Sequence, residues 1–410
     1  MNGITILEGD CRETLKTLPA ESVHCVVTSP PYFGLRDYGC DGQIGLEASP
    51  AEFVSEMVNV FREIRRVLRD DGTVWLNLGD SYAGSWGAQG RPQGNGEMSG
   101  RSVASARQIA SHPRFTGKTG TRGAEIGLKP KDLMGIPWRV AFALQADGWW
   151  LRQDNIWNKP NPMPESVTDR FCKSHEYVFL LTKSADYFFD YIAAQEPVSG
   201  TAHSRGNGIN PKAAANSEGC RQNESFSGAI NGMVEKRNKR SVWTVSTQPY
   251  KGAHFATFPP DLIRPCIMAG TSEHGCCPEC GSPWERVIES VRVATRPGKN
   301  TKVKVPSGWD TNTGSHGSIH KEGRRSSDEV GNRDPERHVT TTKTIGWQPT
   351  CECGLPDTGN IPCTVLDPFN GSGTTGQVAR ECGCHYIGCE LNPEYVELTK
   401  KRLQQNSLLV

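Results

Sequence analysis

Two turns in this 410-residue chain bring together residue types that can handle an aromatic amine and a nucleotide. The first is Ser29-Pro30-Pro31-Tyr32, which closes the apolar run HCVVTS at 24–29. Consecutive prolines hold a turn extended and remove N–H groups from its neighbourhood. The Ser29 hydroxyl and the Pro30 carbonyl can then accept from the amino group of a flat base while the Tyr32 ring stacks on it. A Pro-Pro pair that merely ends a strand is the other reading. The second turn is DPFNGSGTTG at 367–376, whose G-S-G-T-T-G has the glycine spacing of a nucleotide-binding βα turn. Glu390 ends the next apolar run, 23 residues after Asp367, where a carboxylate can accept both hydroxyls of a ribose. No G-K-[S/T] follows the glycines, which argues against a triphosphate loop. The pair of features favours an adenosine-containing ligand over a nicotinamide site or a purely structural turn.

These turns need strands that end at one edge of a sheet and helices that return the chain between them. ITILEGD (4–10), a short helical stretch at 11–18 and HCVVTS make a βαβ unit. From Ser49, a capping residue followed by Pro50, the residues Phe53, Met57, Val60, Ile64 and Leu68 fall on one helical face, and Asp71-Gly72 ends the helix before TVWLNLGDSY (73–82). DLMGIPWRVAFALQADGWW (132–150) reads as helix to Ala146, and WLRQDNIWNK (150–159) and EYVFLLTKS (176–184) read as strands. The C-terminal part repeats the scheme: CTVLDPF (363–369), a helix through Val378 and Ala379, HYIGCE (385–390) and a last helix from Pro393. This alternation predicts an α/β fold, a Rossmann-like doubly wound and mostly parallel sheet. Asp80 and Trp157 stand at strand ends where a pocket would form. Trp149 and Trp150 read as core, and His24 as a satisfied structural histidine.

Thirty-six per cent hydrophobic and 22% charged residues describe a globular chain, with no apolar run long enough to span a bilayer. The first ten residues lack the basic start and apolar core of a signal peptide, so a cytoplasmic protein without membrane partners is expected. The net charge of +1 is unevenly spread: residues 85–128, 193–251 and 283–350 each carry +4, leaving −11 elsewhere. All three stretches are rich in Gly, Ser, Asn and Thr, as solvated insertions are. Three basic insertions on an acidic scaffold also suit a protein that closes around a phosphate backbone.

Fifteen cysteines in a reducing compartment are thiols or metal ligands rather than a disulfide framework. Cys277 and Cys280 have C-x-x-C spacing followed by Gly281, and Cys351 and Cys353 supply a second pair about 70 residues on. Four thiolates would close a structural zinc site and pin the ends of the last basic insertion. Cys276 or His274 could replace a ligand, and a redox dithiol is the competing reading. Cys25 and Cys266 read as buried, inert thiols.

At this point the sequence resembles the S-adenosylmethionine-dependent amino-group DNA methyltransferases. The resemblance rests on GDC at Gly9, TSPPYFGLRDYG at Thr28, KDLMGIPWRVAFALQADGWWLRQDNIWNKPNPMPESV at Lys131, HFATFPPDLIRPCI at His254, DPFNGSGTTG at Asp367 and IGCELNPEYVELTKKRL at Ile387. The catalytic motif precedes the cofactor motif, as in the permuted β arrangement, which implies that both termini meet in one sheet. The resemblance makes Ser29, Pro30, Pro31 and Tyr32 catalytic. It puts Asp367, Phe369, Gly371 and Gly373 at the methionine end of the cofactor, Glu390 at its ribose and Asp10 near its adenine. Thr28 and Thr374 join that pocket, and the stretch from His254 through Phe258 and Pro259 closes it. It implies methyltransferase segments at 1–84, 129–192, 252–272 and 357–410. Interrupting them are a basic loop at 85–128, a target-recognition insertion at 193–251 and a zinc-ribbon insertion at 273–356. Within the family Ser-Pro-Pro-Tyr leans toward N4 of cytosine and Asp-Pro-Pro-Tyr toward N6 of adenine. Double-stranded DNA and a cognate restriction endonuclease are the implied partners. A non-catalytic zinc protein on the same scaffold and an RNA or small-molecule methyltransferase are the remaining alternatives.

Overall fold

The computed structural model describes residues 3–35, 38–83, 129, 131–197, 236–248, 257–294, 338–354 and 359–405. His254, the whole 85–128 insertion and most of the other two lie outside these residues. In chain order the elements are β1 (Ile4–Glu8), α1 (Cys11–Thr14) with a 3-10 turn at Leu15–Thr17, β2 (Val23–Thr28), α2 (Pro50–Val67), β3 (Leu68–Leu78), α3 (Ile136–Ala146), β4 (Trp150–Asn158) and β5 (His175–Thr182). There follow β6 (Glu196–Pro197), β7 (Lys236–Arg237), β8 (Val242–Thr244), α4 (Pro260–Gly270), β9 (Trp284–Ala294), β10 (His338–Pro349), β11 (Thr364–Asp367), α5 (Thr374–Glu381), β12 (His385–Glu390) and α6 (Pro393–Gln405).

Eight strands form one sheet in the order β1-β12-β11-β2-β3-β5-β4-β8. β5 alone runs against its neighbours β3 and β4; the other pairs are parallel. The first and last strands lie side by side, with Ile4 opposite Tyr386 and Glu8 opposite Glu390. From the centre, β11 leads through α5 to β12 on one side, and β2 leads through α2 to β3 on the other. The chain therefore diverges between β11 and β2, and a crevice opens at their carboxyl ends.

Helices cover both faces, which is why every residue of β2 is buried. Val26, Val74 and Leu76 face α2 and α3, while Cys25, Val27 and Trp75 face α4 and α5. The Ser49 side chain caps α2 by accepting from Glu52 N, and Phe53, Met57, Val60 and Ile64 are fully buried. Each such side chain contributes on the order of 1.5–3 kcal/mol. The helix ends one turn earlier than the apolar spacing predicts. Leu68 is extended and pairs with Val23, so the strand begins at Leu68 rather than after Gly72. α3 starts at Ile136, later than expected, with Pro137 in its first turn and Asp80 Oδ1 accepting from Ile136 N at 3.1 Å.

The described residues divide into two compact units. One holds the eight-stranded sheet and its helices. The other comprises 196–237 and 287–346, where β6 pairs antiparallel with β7 and Arg237 forms an ion pair with Glu196. β9 and β10 form a separate two-stranded ribbon. Among the described residues no helix is long and apolar enough to cross a membrane.

Candidate active site

The turns after β2 and β11 are tied together behind the crevice. Asp367 is 1% exposed; its Oδ1 accepts from Thr28 Oγ1 at 2.8 Å and from Phe369 N at 3.0 Å, and its Oδ2 accepts from Thr375 Oγ1 at 2.6 Å. Burial pushes its carboxyl up to about 6 against these donated bonds. The glycine turn is compact for steric reasons. Gly373 has φ +77°, and a Cβ there would stand 2.7 Å from the Thr399 side chain. Asn370 Nδ2 donates to Thr399 Oγ1 and Tyr386 donates to Asn370 Oδ1, both at 2.8 Å, so the turn is fastened to α6 and β12. Arg402 reaches from α6 to Ser372 and Thr374.

In front of these groups lies a cavity of about 1110 Å³. Ligand pockets run from roughly 300 to 1000 Å³, so this cavity lies above the range that one small ligand usually fills. At one end Glu390 Oε2 accepts from Gly371 N at 2.7 Å and Oε1 from Asn392 N at 2.9 Å. Each carboxylate oxygen keeps acceptor capacity for a further hydroxyl. Burial pushes the Glu390 carboxyl up to about 7 in spite of the two amide bonds. Asp10, on the same wall, accepts from Arg12 through both oxygens; although burial works against it, this pairing holds its carboxyl below the usual range.

At the other end stand Ser29, Pro30, Pro31 and Tyr32. The Tyr32 hydroxyl donates to Glu176 Oε2 at 2.7 Å and lies 3.3 Å from Asn77 Oδ1, while Ser29 Oγ lies 3.5 Å from it. Burial, reinforced by the Glu176 charge, raises the phenol well above its usual value, so it stays a neutral donor. Glu176 also accepts from Asn77 Nδ2 and forms an ion pair with Lys159, whose ammonium lies 4.2 Å from the centroid of the Trp157 ring. Gly79 makes this arrangement possible: a Cβ there would come within 2.6 Å of the Tyr32 ring.

The cavity thus unites the four residues of the Ser-Pro-Pro-Tyr turn with Asp10, Phe258, Phe369, Gly371, Thr374 and Glu390 from the cofactor set. Thr28, Pro259, Asp367 and Gly373 are not among the residues that line it; Thr28 and Asp367 brace its wall from behind. Asp80 and Trp157 both line it, but two Asp80 oxygens are occupied by Ser81, Gly135 and Ile136 amides, which makes it a helix cap. Trp149 is buried as expected, whereas Trp150 is 48% exposed. Glu176, Lys159 and Asn77 went unnoticed in the sequence. The reversal of β5 is what brings Glu176, at its start, to the edge where the other strands end.

The cysteines sort clearly. Cys266 lies inside α4 and Cys25 in β2, both fully buried; burial raises Cys25 to about 12 and Cys266 well above its usual value. Neither offers the thiolate that methylation of a ring carbon requires. Away from the cavity, Cys277, Cys280, Cys351 and Cys353 place their sulfurs within 4.8 Å of one another. A tetrahedral ion with metal–sulfur bonds near 2.3 Å needs sulfurs about 3.8 Å apart, so the cluster fits zinc. Cys276 belongs to a different group, with His24 and Cys363, and His274 stacks on Trp347.

A family profile described as DNA methylase, covering the N6 and N4 methyltransferases, matches residues 23–277 and 362–401. The chain is 38% identical over 412 residues to the type II methyltransferase M.XycI of Xanthomonas campestris pv. cyanopsidis, spanning 100% of this chain and 91% of that protein. It is 38% identical over 405 residues to the type II methyltransferase M.Cfr9I of Citrobacter freundii, spanning 98% and 89%. A solved structure described as PvuII DNA methyltransferase, cytosine-N4-specific, aligns over 98% of this chain and 88% of its own, with a TM-score of 0.49 and 15% identity.

Proposed function

The chain belongs to the family of N6 and N4 DNA methylases, and we propose that it methylates the exocyclic N4 of a cytosine flipped out of duplex DNA, with S-adenosylmethionine as donor. One observation carries the reading: the Ser29–Tyr32 turn and Glu390 share one cavity large enough for a cofactor and a base. Glu390, Gly371, Phe369 and Asp10 would hold the cofactor, which when bound supplies an activated methyl group. Phe258 would close over it, and Thr28, Asp367, Gly373 and Thr374 would keep the turn in shape. On this reading His254 and Pro259 belong to the same closing segment.

The remaining work falls to the chain's own groups. An exocyclic amine is a poor nucleophile because its lone pair is delocalised into the ring. Acceptors at Ser29 Oγ and the Pro30 carbonyl draw its hydrogens and turn the nitrogen toward tetrahedral geometry, with Pro31 fixing the turn. Tyr32, anchored through its hydroxyl on Glu176, offers the base a ring that does not swing. The nitrogen gives up one proton as it gains the methyl, and the Ser29 side can pass that proton to water. No thiolate is needed, in keeping with the inert Cys25 and Cys266.

The choice of cytosine rests on Ser29 at the head of the turn, and adenine N6 is the alternative outcome of the test. That test is incubation with labelled S-adenosylmethionine and mixed DNA, then digestion and identification of the methylated nucleoside. N4-methylcytosine supports the proposal, N6-methyladenine changes the base, and label in neither overturns both. We further propose that 193–251 reads the target, that the basic insertions hold phosphates, and that a partner nuclease shares the site, since the similar proteins M.XycI and M.Cfr9I are type II methyltransferases. Zinc at Cys277, Cys280, Cys351 and Cys353 completes the reading, on the strength of the donor set.

A further inference from the structure

The four-cysteine cluster lies far from the reacting groups. It contacts β2 at His24, five residues before Ser29, and a strand advances about 3.3 Å per residue, so roughly 16 Å separate that contact from the base pocket. A metal there touches neither substrate. What it does touch is informative. Gly281 N donates to Cys277 O at 2.8 Å and Cys277 N to Ser282 O at 2.9 Å, folding Cys277–Ser282 into a tight knuckle whose Gly281 has φ +71°. The knuckle presents two carbonyls to the sheet. Gly281 O is 2.7 Å from His24 Nε2, and Cys280 O accepts from Arg69 Nη1 at 2.6 Å.

His24 is committed on both sides. Its Nδ1 accepts from Thr364 N at 3.0 Å, which fixes the proton on Nε2, where it is donated to Gly281 O. With both nitrogens engaged, His24 is no metal ligand, although it lies near Cys276 and Cys363. Thr364 opens β11, His24 lies at the start of β2, and Arg69 lies at the start of β3, where it also holds Asp71 and reaches Ser282. Next to the knuckle, Cys276 and Ile361 exchange two backbone hydrogen bonds of 2.8 and 3.0 Å just before β11.

We propose that the zinc centre is a brace for the two strands that carry the active-site turns. Metal bound to the four cysteines holds the knuckle in the one shape that offers Gly281 O to His24 and Cys280 O to Arg69. The imidazole then locks the amino ends of β2 and β11 in register, and the register is read out at their carboxyl ends, where Thr28 meets Asp367. His24 and Arg69 are positioning residues. The inference rests on the zinc reading of the cluster, and the test separates the two.

Zinc per chain, melting temperature, S-adenosylmethionine affinity and the split of kcat against KM for DNA are measured for the parent, His24→Ala, His24→Gln and Arg69→Ala, with and without chelation. The parent should hold one zinc, and its removal should lower the melting temperature and weaken cofactor binding about three- to tenfold. His24→Ala should still hold one zinc but show most of that loss already, with little further change on chelation and with kcat falling more than KM changes. His24→Gln, whose amide can still donate to Gly281 O, should recover part of it. No zinc in the parent overturns the metal reading and the brace together. Zinc present, with chelation affecting His24→Ala as strongly as the parent, overturns the brace alone. Loss of zinc in His24→Ala makes His24 a ligand and also overturns the brace. Should His24→Ala fail to fold, Arg69→Ala puts the same question from β3.

Discussion

If Glu390 holds the ribose as proposed, cofactor affinity should be a function of pH, and the size of the effect follows from the surroundings of the carboxyl. Burial raises its carboxyl to about 7 in the free protein. Only the ionised form offers both oxygens to ribose hydroxyls, because a protonated carboxyl turns one acceptor into a donor. If binding requires ionised Glu390, apparent affinity scales with the ionised fraction. At pH 6 about one molecule in eleven is ionised, at pH 7 about half and at pH 8 about ten in eleven, so the dissociation constant should fall about tenfold between pH 6 and 8, or about 1.4 kcal/mol. Titration calorimetry in buffers of different ionisation enthalpy would yield both the affinity and the proton released on binding. Glu390→Gln should bind more weakly than the ionised parent, by on the order of 1.5–3 kcal/mol at pH 8, and lose the slope, so that the gap narrows toward pH 6. An affinity that changes less than about twofold between pH 6 and 8, or a Gln variant that keeps the parent slope, would refute the assignment.

Stability without cofactor should run the opposite way. Asp367 and Glu390 are both raised above their unfolded values, so the native state holds protons that the unfolded chain has released, and stability present below about pH 4 is lost as pH rises through 6 and 7; urea titrations from pH 5 to 8 would show a falling midpoint. Tyr32→Ala should abolish most turnover while cofactor affinity, read by calorimetry, stays within a few-fold of the parent. Gly79→Ala pushes a methyl into the Tyr32 ring and should lower kcat, together with a destabilisation of about 1–3 kcal/mol read by denaturant unfolding. Thr28→Val removes a donor from buried Asp367 and should destabilise the protein by about 1–3 kcal/mol, measured by denaturant unfolding.

Much of this was legible in the residues because local chemistry and global position agree. HYIGCE is β12 residue for residue, since an apolar run bounded by Gly383 and by an Asn-Pro pair has no other use. Ser49 and Pro50 start α2 as their types require. The misreading at Leu68 came from a tertiary pairing, with Val23, that outweighs helical periodicity. Glu176 was missed for a related reason: strand direction is not written in apolar spacing, and only the reversal of β5 turns a residue at a strand's start into a neighbour of Tyr32. Asp367 was found as important, yet its type did not reveal that it faces two threonines rather than the cavity. The thiol pairs were visible as pairs. Their docking on His24 and Arg69 depends on contacts more than 200 residues apart in sequence.

The pairing of β11 with β2 has a consequence in time. β2 and its neighbour β3 are complete by residue 78, whereas β11 begins at residue 364. At roughly 5–20 residues per second, synthesis leaves β2 without its other neighbour for some tens of seconds. Throughout that interval β2, whose six residues are all buried in the finished fold, exposes an unpaired edge, the kind of surface that recruits other chains or chaperones. The newborn polypeptide therefore carries its Ser-Pro-Pro-Tyr turn early but has no floor for the donor until β11, β12 and the helices that follow them emerge. Modification activity should rise in a single step once β12 and α6 have been made, and a chain truncated before β12 should have no methylating ability.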